Sequence, residues 1–148
     1  MLATRQTKHV QGCRAAIFVL LFPLGLSHAA DGLRDCIAQA RDSSSVAACE
    51  KQAQLSLQED IKRLSAAIRV QLNQSQRLVF DQSTAAWQTF LRHETALQEL
   101  TLSQRGDGLG DKLLPGALTL LYEQRERQLR GHLHNLSAKL REPPKGDR

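Results

Sequence analysis

Residues 49–72 read CEKQAQLSLQEDIKRLSAAIRVQL, and this stretch indicates the fold. Four of its apolar side chains recur at steps of four, three and four residues, which is the spacing of one helix face. They are Leu57, Ile61, Leu64 and Ile68. The run DSSS at 42–45 consists of residue types that cap helix N-termini. We therefore predict a long helix over about 46–72, preceded by a short helical segment at 33–41.

Two further helices are predicted downstream. The run NQS at 73–75 offers a break or kink, and a second long helix follows over about 76–103. The run RGDGLGD at 105–111 holds three glycines and predicts a loop. Pro115 suits the first turn of a third helix, whose leucine-rich face extends to residue 140. Residues 143–148 are predicted to form a frayed tail.

The pattern as a whole predicts an all-α protein. β-branched residues are sparse, and no segment alternates apolar and polar residues over the length of a strand. Amphipathic helices of this length bury their apolar faces against one another. We expect a small antiparallel bundle or hairpin of about three long helices plus a short N-terminal helix, occupying residues 30–142.

The first 29 residues have the features of a secretory signal. Three basic residues, Arg5, Lys8 and Arg14, precede the apolar run AAIFVLLFPLGL at 15–26. Small residues then precede the predicted cleavage after Ala29, with Ala30 as the alternative. A membrane anchor is the rival interpretation, but a bilayer span needs roughly 20 apolar residues. We therefore expect a periplasmic or secreted protein without stable membrane insertion.

Removal of the signal changes the cysteine and charge arguments. Cys13 would leave with it, so Cys36 and Cys49 remain, and an even pair in an exported chain predicts a disulfide, with two free thiols as the alternative. The remainder carries 17 basic and 15 acidic residues, a net charge of +2. These charges are interspersed and aromatic residues are few, so we expect no nucleic-acid binding.

No motif for catalysis, metal binding or cofactor binding is found in the sequence. His132 and His134 are two residues apart on a helix and do not converge, and His93 lacks a second histidine at zinc-motif spacing. The glycines at 106, 108 and 110 follow a helix and no strand, so they do not form a phosphate-binding loop. We predict a protein that is not an enzyme and has no metal site or cofactor.

Three short motifs, taken in order, resemble the lysozyme-inhibitor LprI-like family of exported bacterial proteins. The first is Cys36, a dozen residues, then Cys49 followed by EKQA at 50–53; the second is AWQTFLR at 86–92; the third is LLYEQRERQL at 120–129. The resemblance extends over about residues 35–133. Two further cysteines common in that family are missing here, from the regions 93–96 and 113–117.

The resemblance implies mainly structural roles for the matched residues. Trp87 and Phe90 would pack the hairpin between the second and third long helices, and Leu129 would lie on the apolar face of the last helix. Arg92 and Arg125 would bridge to carboxylates across the bundle or stack on the tryptophan ring.

Trp87 has two interpretations. It shares a stripe with Phe80, Thr84 and Leu91, which favours burial between helices, whereas an exposed tryptophan would serve as a binding anchor. Val79, Phe90 and Leu97 lie beside this stripe.

The resemblance also implies a function. We expect a non-enzymatic, protein-binding domain whose candidate target is a lysozyme or another cell-wall hydrolase. The alternative is a structural or stress-related helical envelope protein with no enzyme target. An acidic patch around a loop would favour the first hypothesis, and a uniformly polar outer surface would favour the second. The partner and the oligomeric state stay open.

Overall fold

A computed structural model describes residues 28–107 and 109–139 as four helices. They are α1 (His28–Gln39), α2 (Ser43–Gln71), α3 (Gln74–Ser103) and α4 (Gly110–Lys139). No strand occurs within these two ranges. The predicted all-α fold of three long helices and a short N-terminal helix is therefore confirmed. Residues 1–27, with the apolar run of the predicted signal, and the predicted tail lie outside the described residues.

The start of α2 is fixed by the predicted capping residues. The Asp42 carboxylate accepts a hydrogen bond from the backbone N–H of Ser45 at 2.7 Å, which satisfies a donor that the first helical turn leaves free. This bond is the main cause of a lowered pKa for Asp42. From this cap the helix presents one buried stripe along its length, comprising Cys49, Ala53, Leu57, Leu64 and Ile68.

The chain reverses direction between α2 and α3 through a capping box. Asn73 Oδ1 accepts from the backbone N–H of Gln76, and Gln76 Oε1 accepts from the backbone N–H of Asn73, both at 3.0 Å. Arg77 Nε donates to the carbonyl oxygens of Arg69 and Leu72 at the end of α2. The predicted break at 73–75 is thus the boundary between two helices.

Polar contacts between α2 and α4 show that these two helices run parallel. The buried Thr119 hydroxyl donates to the Glu50 carboxylate at 2.5 Å, and Gln54 Nε2 donates to the Pro115 carbonyl at 2.8 Å. Further towards the C-terminal ends of both helices, Arg130 Nη2 lies 3.8 Å from Asp60 Oδ2. Because contact partners advance together along both helices, α2 and α4 share a direction.

The apolar core lies on this α2–α4 contact. Leu129 of α4 is fully buried, with 0% of its surface exposed, and it packs against Leu64 and Ile68 of α2. Partly buried side chains surround these three residues and enlarge the cluster. They are Ile61, Leu72, Phe80, Leu133 and Leu136.

Helix α3 packs antiparallel on α4 and makes little contact along α2. Phe80, near the start of α3, contacts the core around Leu129, whereas Trp87, further along α3, contacts Tyr122, which precedes Leu129 on α4. An ion pair between Arg69 and Asp81 at 3.1 Å joins α2 to α3 close to their connecting turn. No residue of α3 is fully buried, so α3 is held mainly by one side.

The start of α4 differs from the prediction. Pro115 was expected in the first turn, but the helix begins at Gly110, five residues earlier, and Pro115 lies inside it. The backbone N–H groups of Lys112 and Leu113 already donate to the Leu109 carbonyl, which opens the helix before the proline. The predicted loop at 105–111 is correspondingly shorter, since residues 110 and 111 are helical.

Side-chain size and a local ion pair shape the connection between α3 and α4. A Cβ atom on Gly110 would lie 2.2 Å from the Leu102 carbonyl oxygen, so only glycine fits this close approach of the two helices. Nearby, Arg105 Nη2 donates to Asp107 Oδ2 at 2.7 Å, and this hydrogen bond is the main reason that the pKa of Asp107 is lowered to about 2.

Helix α1 is attached to α2 by the predicted disulfide. Cys36 and Cys49 are bonded, with Cα atoms 5.7 Å apart and 13 residues of sequence separation. Cys49 is buried on the α2 stripe, whereas most of α1 is exposed. The helix is also longer than predicted, because it begins at His28 rather than at residue 33.

We predict that Cys49→Ser lowers the free energy of unfolding by about 2–5 kcal/mol, because the crosslink restricts the unfolded chain. Urea denaturation followed by circular dichroism measures this change. Dithiothreitol should reproduce the loss in the parent protein and have no further effect on the variant. Labelling of both thiols in the unreduced native protein would contradict the assignment.

Candidate functional site

Trp87 is partly buried at the contact between α3 and α4. Its ring meets Tyr122 edge to face, with centroids 6.1 Å apart and an interplanar angle of 62°. The predicted stripe of α3 brings it there, since Thr84 and Leu91 are also partly buried while their neighbours are exposed. Trp87 therefore contributes to helix packing, although it is not enclosed in the way expected of a core residue.

Arg125 lies beneath this tryptophan. Its guanidinium carbon is 5.4 Å from the centroid of the Trp87 ring, which agrees with one of the two roles inferred for it. Only 6% of Arg125 is exposed, and burial lowers the pKa of the guanidinium from its usual range. Arginine is nevertheless protonated at neutral pH, so α4 places a buried positive charge against the ring.

The remaining residues matched by the resemblance separate into two environments. Leu129 lies at the centre of the core, as expected from its place on the apolar face of α4. Phe90 was expected to pack the hairpin with Trp87, but half of it is exposed. Arg92 is also exposed; its Nη2 donates to Thr89 Oγ1 at 3.4 Å, and no ion pair involves it within the described part of the chain.

Helix α3 has a second apolar face. At 3.6 residues per turn, a set of large apolar side chains falls roughly 140° around the helix from the stripe that holds Trp87. All of them are at least half exposed, and we call this set the outer stripe of α3. It comprises Leu78, Val79, Phe90, Leu97 and Leu100.

The outer stripe carries no acidic residue, lysine or arginine along its length. The positions between its apolar members on the same helix face are uncharged or weakly basic, namely Gln82, Ala86 and His93. The charged residues of α3 lie on other sides of the helix, and Asp81, for example, faces Arg69 of α2. The outer stripe is therefore a continuous uncharged surface rather than a scatter of single exposed residues.

A cavity of about 330 Å³ lies where α2, α3 and α4 meet near the α2–α3 turn. We call it the Arg125 cavity. Its walls combine apolar side chains of the core cluster with Arg125 and with polar residues of α3 and α4. It is lined by Ile68, Leu72, Gln76, Val79, Phe80, Ser83, Arg125, Leu129, His132, Asn135 and Leu136. Val79 therefore belongs both to this cavity and to the outer stripe.

Neither the outer stripe of α3 nor the buried charge of Arg125 was predicted from the sequence, although the sequence contains signals for both. Val79, Phe90 and Leu97 were read as neighbours of the tryptophan stripe, whereas their helical angles place them with Leu78 and Leu100 on a separate face. Arg125 occupies a position of the apolar face of α4, between Tyr122 and Leu129. A cation at such a position indicates a buried charge, which helical spacing alone could have revealed.

The described residues contain neither a metal-binding cluster nor a membrane-spanning helix. Within residues 28–107 and 109–139, no three His, Cys, Asp or Glu side chains come together in a way that could hold a metal ion. No helix in the described part of the chain has the length and apolar character needed to cross a bilayer. No family model, curated protein or solved structure matches this chain.

We predict that Trp87 and Arg125 are energetically coupled. A double-mutant cycle with Trp87→Leu and Arg125→Met, measured by urea denaturation, should give a coupling of about 0.5–2 kcal/mol, because each variant removes one half of the cation–π pair. The matched control combines Trp87→Leu with Arg92→Met, which removes an exposed arginine of α3 that does not contact the Trp87 ring through a cation–π pair. That pair should be additive, and additivity in both cycles would contradict the stacking role of Arg125.

Proposed function

We propose that this chain is an exported, non-enzymatic protein-binding domain that contacts its partner through the outer stripe of α3. The observation that supports this proposal is the exposure of large apolar side chains along one helix face. Leu97 and Leu100 are 52% and 56% exposed. Several large apolar side chains exposed on one helix face typically mark an interaction site.

The shape of the outer stripe suits docking into an apolar groove on the partner. Leu78 and Leu100 are 22 residues apart, so at 1.5 Å per residue the stripe is about 33 Å long. When an amphipathic helix binds in an apolar groove, its anchoring side chains are typically three, four or seven residues apart. Phe90, Leu97 and Leu100 provide such anchors, since they are seven and three positions apart.

Export is supported by the N-terminal sequence and by the disulfide. The basic start, apolar run and small residues before position 30 fit a cleaved signal. A disulfide such as Cys36–Cys49 persists in oxidising compartments and is rare in the cytosol. Together these features support a periplasmic or secreted domain that begins at Ala30 or Asp31.

The resemblance to the LprI-like family supplies a candidate partner, a lysozyme-type cell-wall hydrolase. Net charge does not support a lysozyme target. Lysozyme is cationic and the chain after the signal carries about +2, so electrostatic attraction between them would be weak. The alternative, a structural envelope protein with no enzyme target, would present a uniformly polar outer surface. The outer stripe of α3 argues against that alternative.

We predict that Leu97→Glu combined with Leu100→Glu abolishes partner binding without unfolding the protein, because both side chains are exposed and charge is costly inside an apolar interface. The matched control is Leu55→Glu combined with Val70→Glu on α2, which adds the same charge at residues that are 50% and 79% exposed. Binding is measured by affinity capture from an envelope extract and by inhibition of lysozyme-catalysed cell-wall lysis.

The outcomes separate the candidate partners. Inhibition of lysozyme by the parent protein and the control, but not by the α3 variant, would establish an inhibitor. Loss of one captured envelope protein in the α3 variant alone, without lysozyme inhibition, would retain the binding role and reject that target. Equal behaviour of the two variants, or self-association through the outer stripe in place of partner binding, would contradict the proposal.

A further inference from the structure

The guanidinium of Arg125 is buried without a counter-charge. Within the described residues no carboxylate forms an ion pair with it, and its buried Nε has no hydrogen-bond acceptor. The ring of Trp87 contacts the guanidinium and stabilises its charge in part. A cation–π contact offsets only part of the cost of removing a guanidinium from water. Arg125 is therefore a buried cation whose charge is only partly compensated, and a bound anion would stabilise it.

A second arginine of α4, Arg130, differs from Arg125 because it is paired with carboxylates. Arg130, five residues further along α4, donates to the Glu126 carboxylate and lies 3.8 Å from Asp60. Arg125 has no such partners, although it is the more deeply buried of the two. Buried polar groups in folded proteins are as a rule satisfied, so the unpaired Nε of Arg125 is an exception that a bound anion would remove.

The Arg125 cavity provides space for that group. Its volume of about 330 Å³ falls at the lower end of the range for small-molecule sites. Its walls include the apolar side chains of Ile68 and Leu72 from α2 and its C-cap, Phe80 from α3 and Leu136 from α4. A small inorganic anion would leave these walls uncovered, whereas a neutral apolar molecule would leave the guanidinium unpaired.

We propose that the Arg125 cavity binds a single-chain carboxylate amphiphile, such as a medium-chain fatty acid. The alkyl chain would lie against the core side chains, and the carboxylate would accept hydrogen bonds from Arg125. The planar guanidinium matches a carboxylate in a two-point geometry, which favours this head group over a single point contact. Polar side chains at the rim, His132 and Asn135, would keep the entrance hydrated.

This site shares Val79 with the outer stripe of α3, but the binding proposed here depends on Arg125 and the core side chains and not on the proposed protein partner. Leu97 and Leu100 lie outside the cavity, and Arg125 lies outside the stripe. Each proposal is tested at residues that the other site does not contain, so failure of one is distinguishable from failure of the other.

Decanoate below its micellar concentration is a suitable probe. Isothermal titration calorimetry should show saturable binding of one decanoate per chain, and the emission of Trp87, the single tryptophan, should shift because its ring contacts Arg125. Decanol, which has the same chain and no charge, should bind about tenfold more weakly or worse, the difference expected for a charge-assisted hydrogen bond. Decyltrimethylammonium should bind still less.

Two variants and one control locate the site. Arg125→Met should weaken decanoate binding by about tenfold or more while leaving decanol binding nearly unchanged. Ser83→Phe, which fills the cavity and keeps the arginine, should weaken both ligands; this variant decides the matter if Arg125→Met does not fold. Arg92→Met should have no effect on either ligand.

Absence of decanoate binding, equal affinity for decanol and decanoate, or unchanged decanoate affinity in both cavity variants would overturn the proposal.

Discussion

The packing of α4 against α2 is the interaction on which the rest of the structure depends. Every buried apolar side chain in the described residues lies on one of these two helices, and Leu129 is enclosed between Leu64 and Ile68. The polar contacts of Glu50, Gln54 and Thr119 fix the register at the other end. Because these helices are not consecutive in the chain, α3 must span the length between them and run in the opposite direction.

This constraint explains the two unusual surfaces of the molecule. In the described residues, the fully buried apolar side chains all belong to α2 and α4, and α3 attaches to them through Phe80, Trp87 and the partly buried residues near them. Its opposite face is left in solvent as the outer stripe. Where the three helices converge near the α2–α3 turn, their side chains do not fill the space, and the Arg125 cavity remains.

Local sequence patterns predicted most of the secondary structure and little of the packing. The four-three-four spacing in α2, the cap at Asp42 and the break at Asn73 all depend on neighbouring residues, and each is present in the structure. The disulfide followed from cysteine count and compartment. The choice of which apolar face of α3 is covered depends on contacts with α4, far away in sequence, and Phe90 was therefore placed wrongly in the packed hairpin. Pro115 likewise predicted the wrong start for α4. The helix begins five residues earlier, at Gly110, because backbone N–H groups donate to the Leu109 carbonyl.

Native-state hydrogen exchange measured residue by residue on the oxidised protein tests the central claim most directly. If α2 and α4 form the core and α3 is held on one side, the central amides of α2 and α4 should exchange only on global unfolding. Those of α3 should exchange through a smaller opening of lower free energy. Protection of α3 equal to that of α2 and α4 would contradict the account, because it would mean that all three helices form one cooperative core.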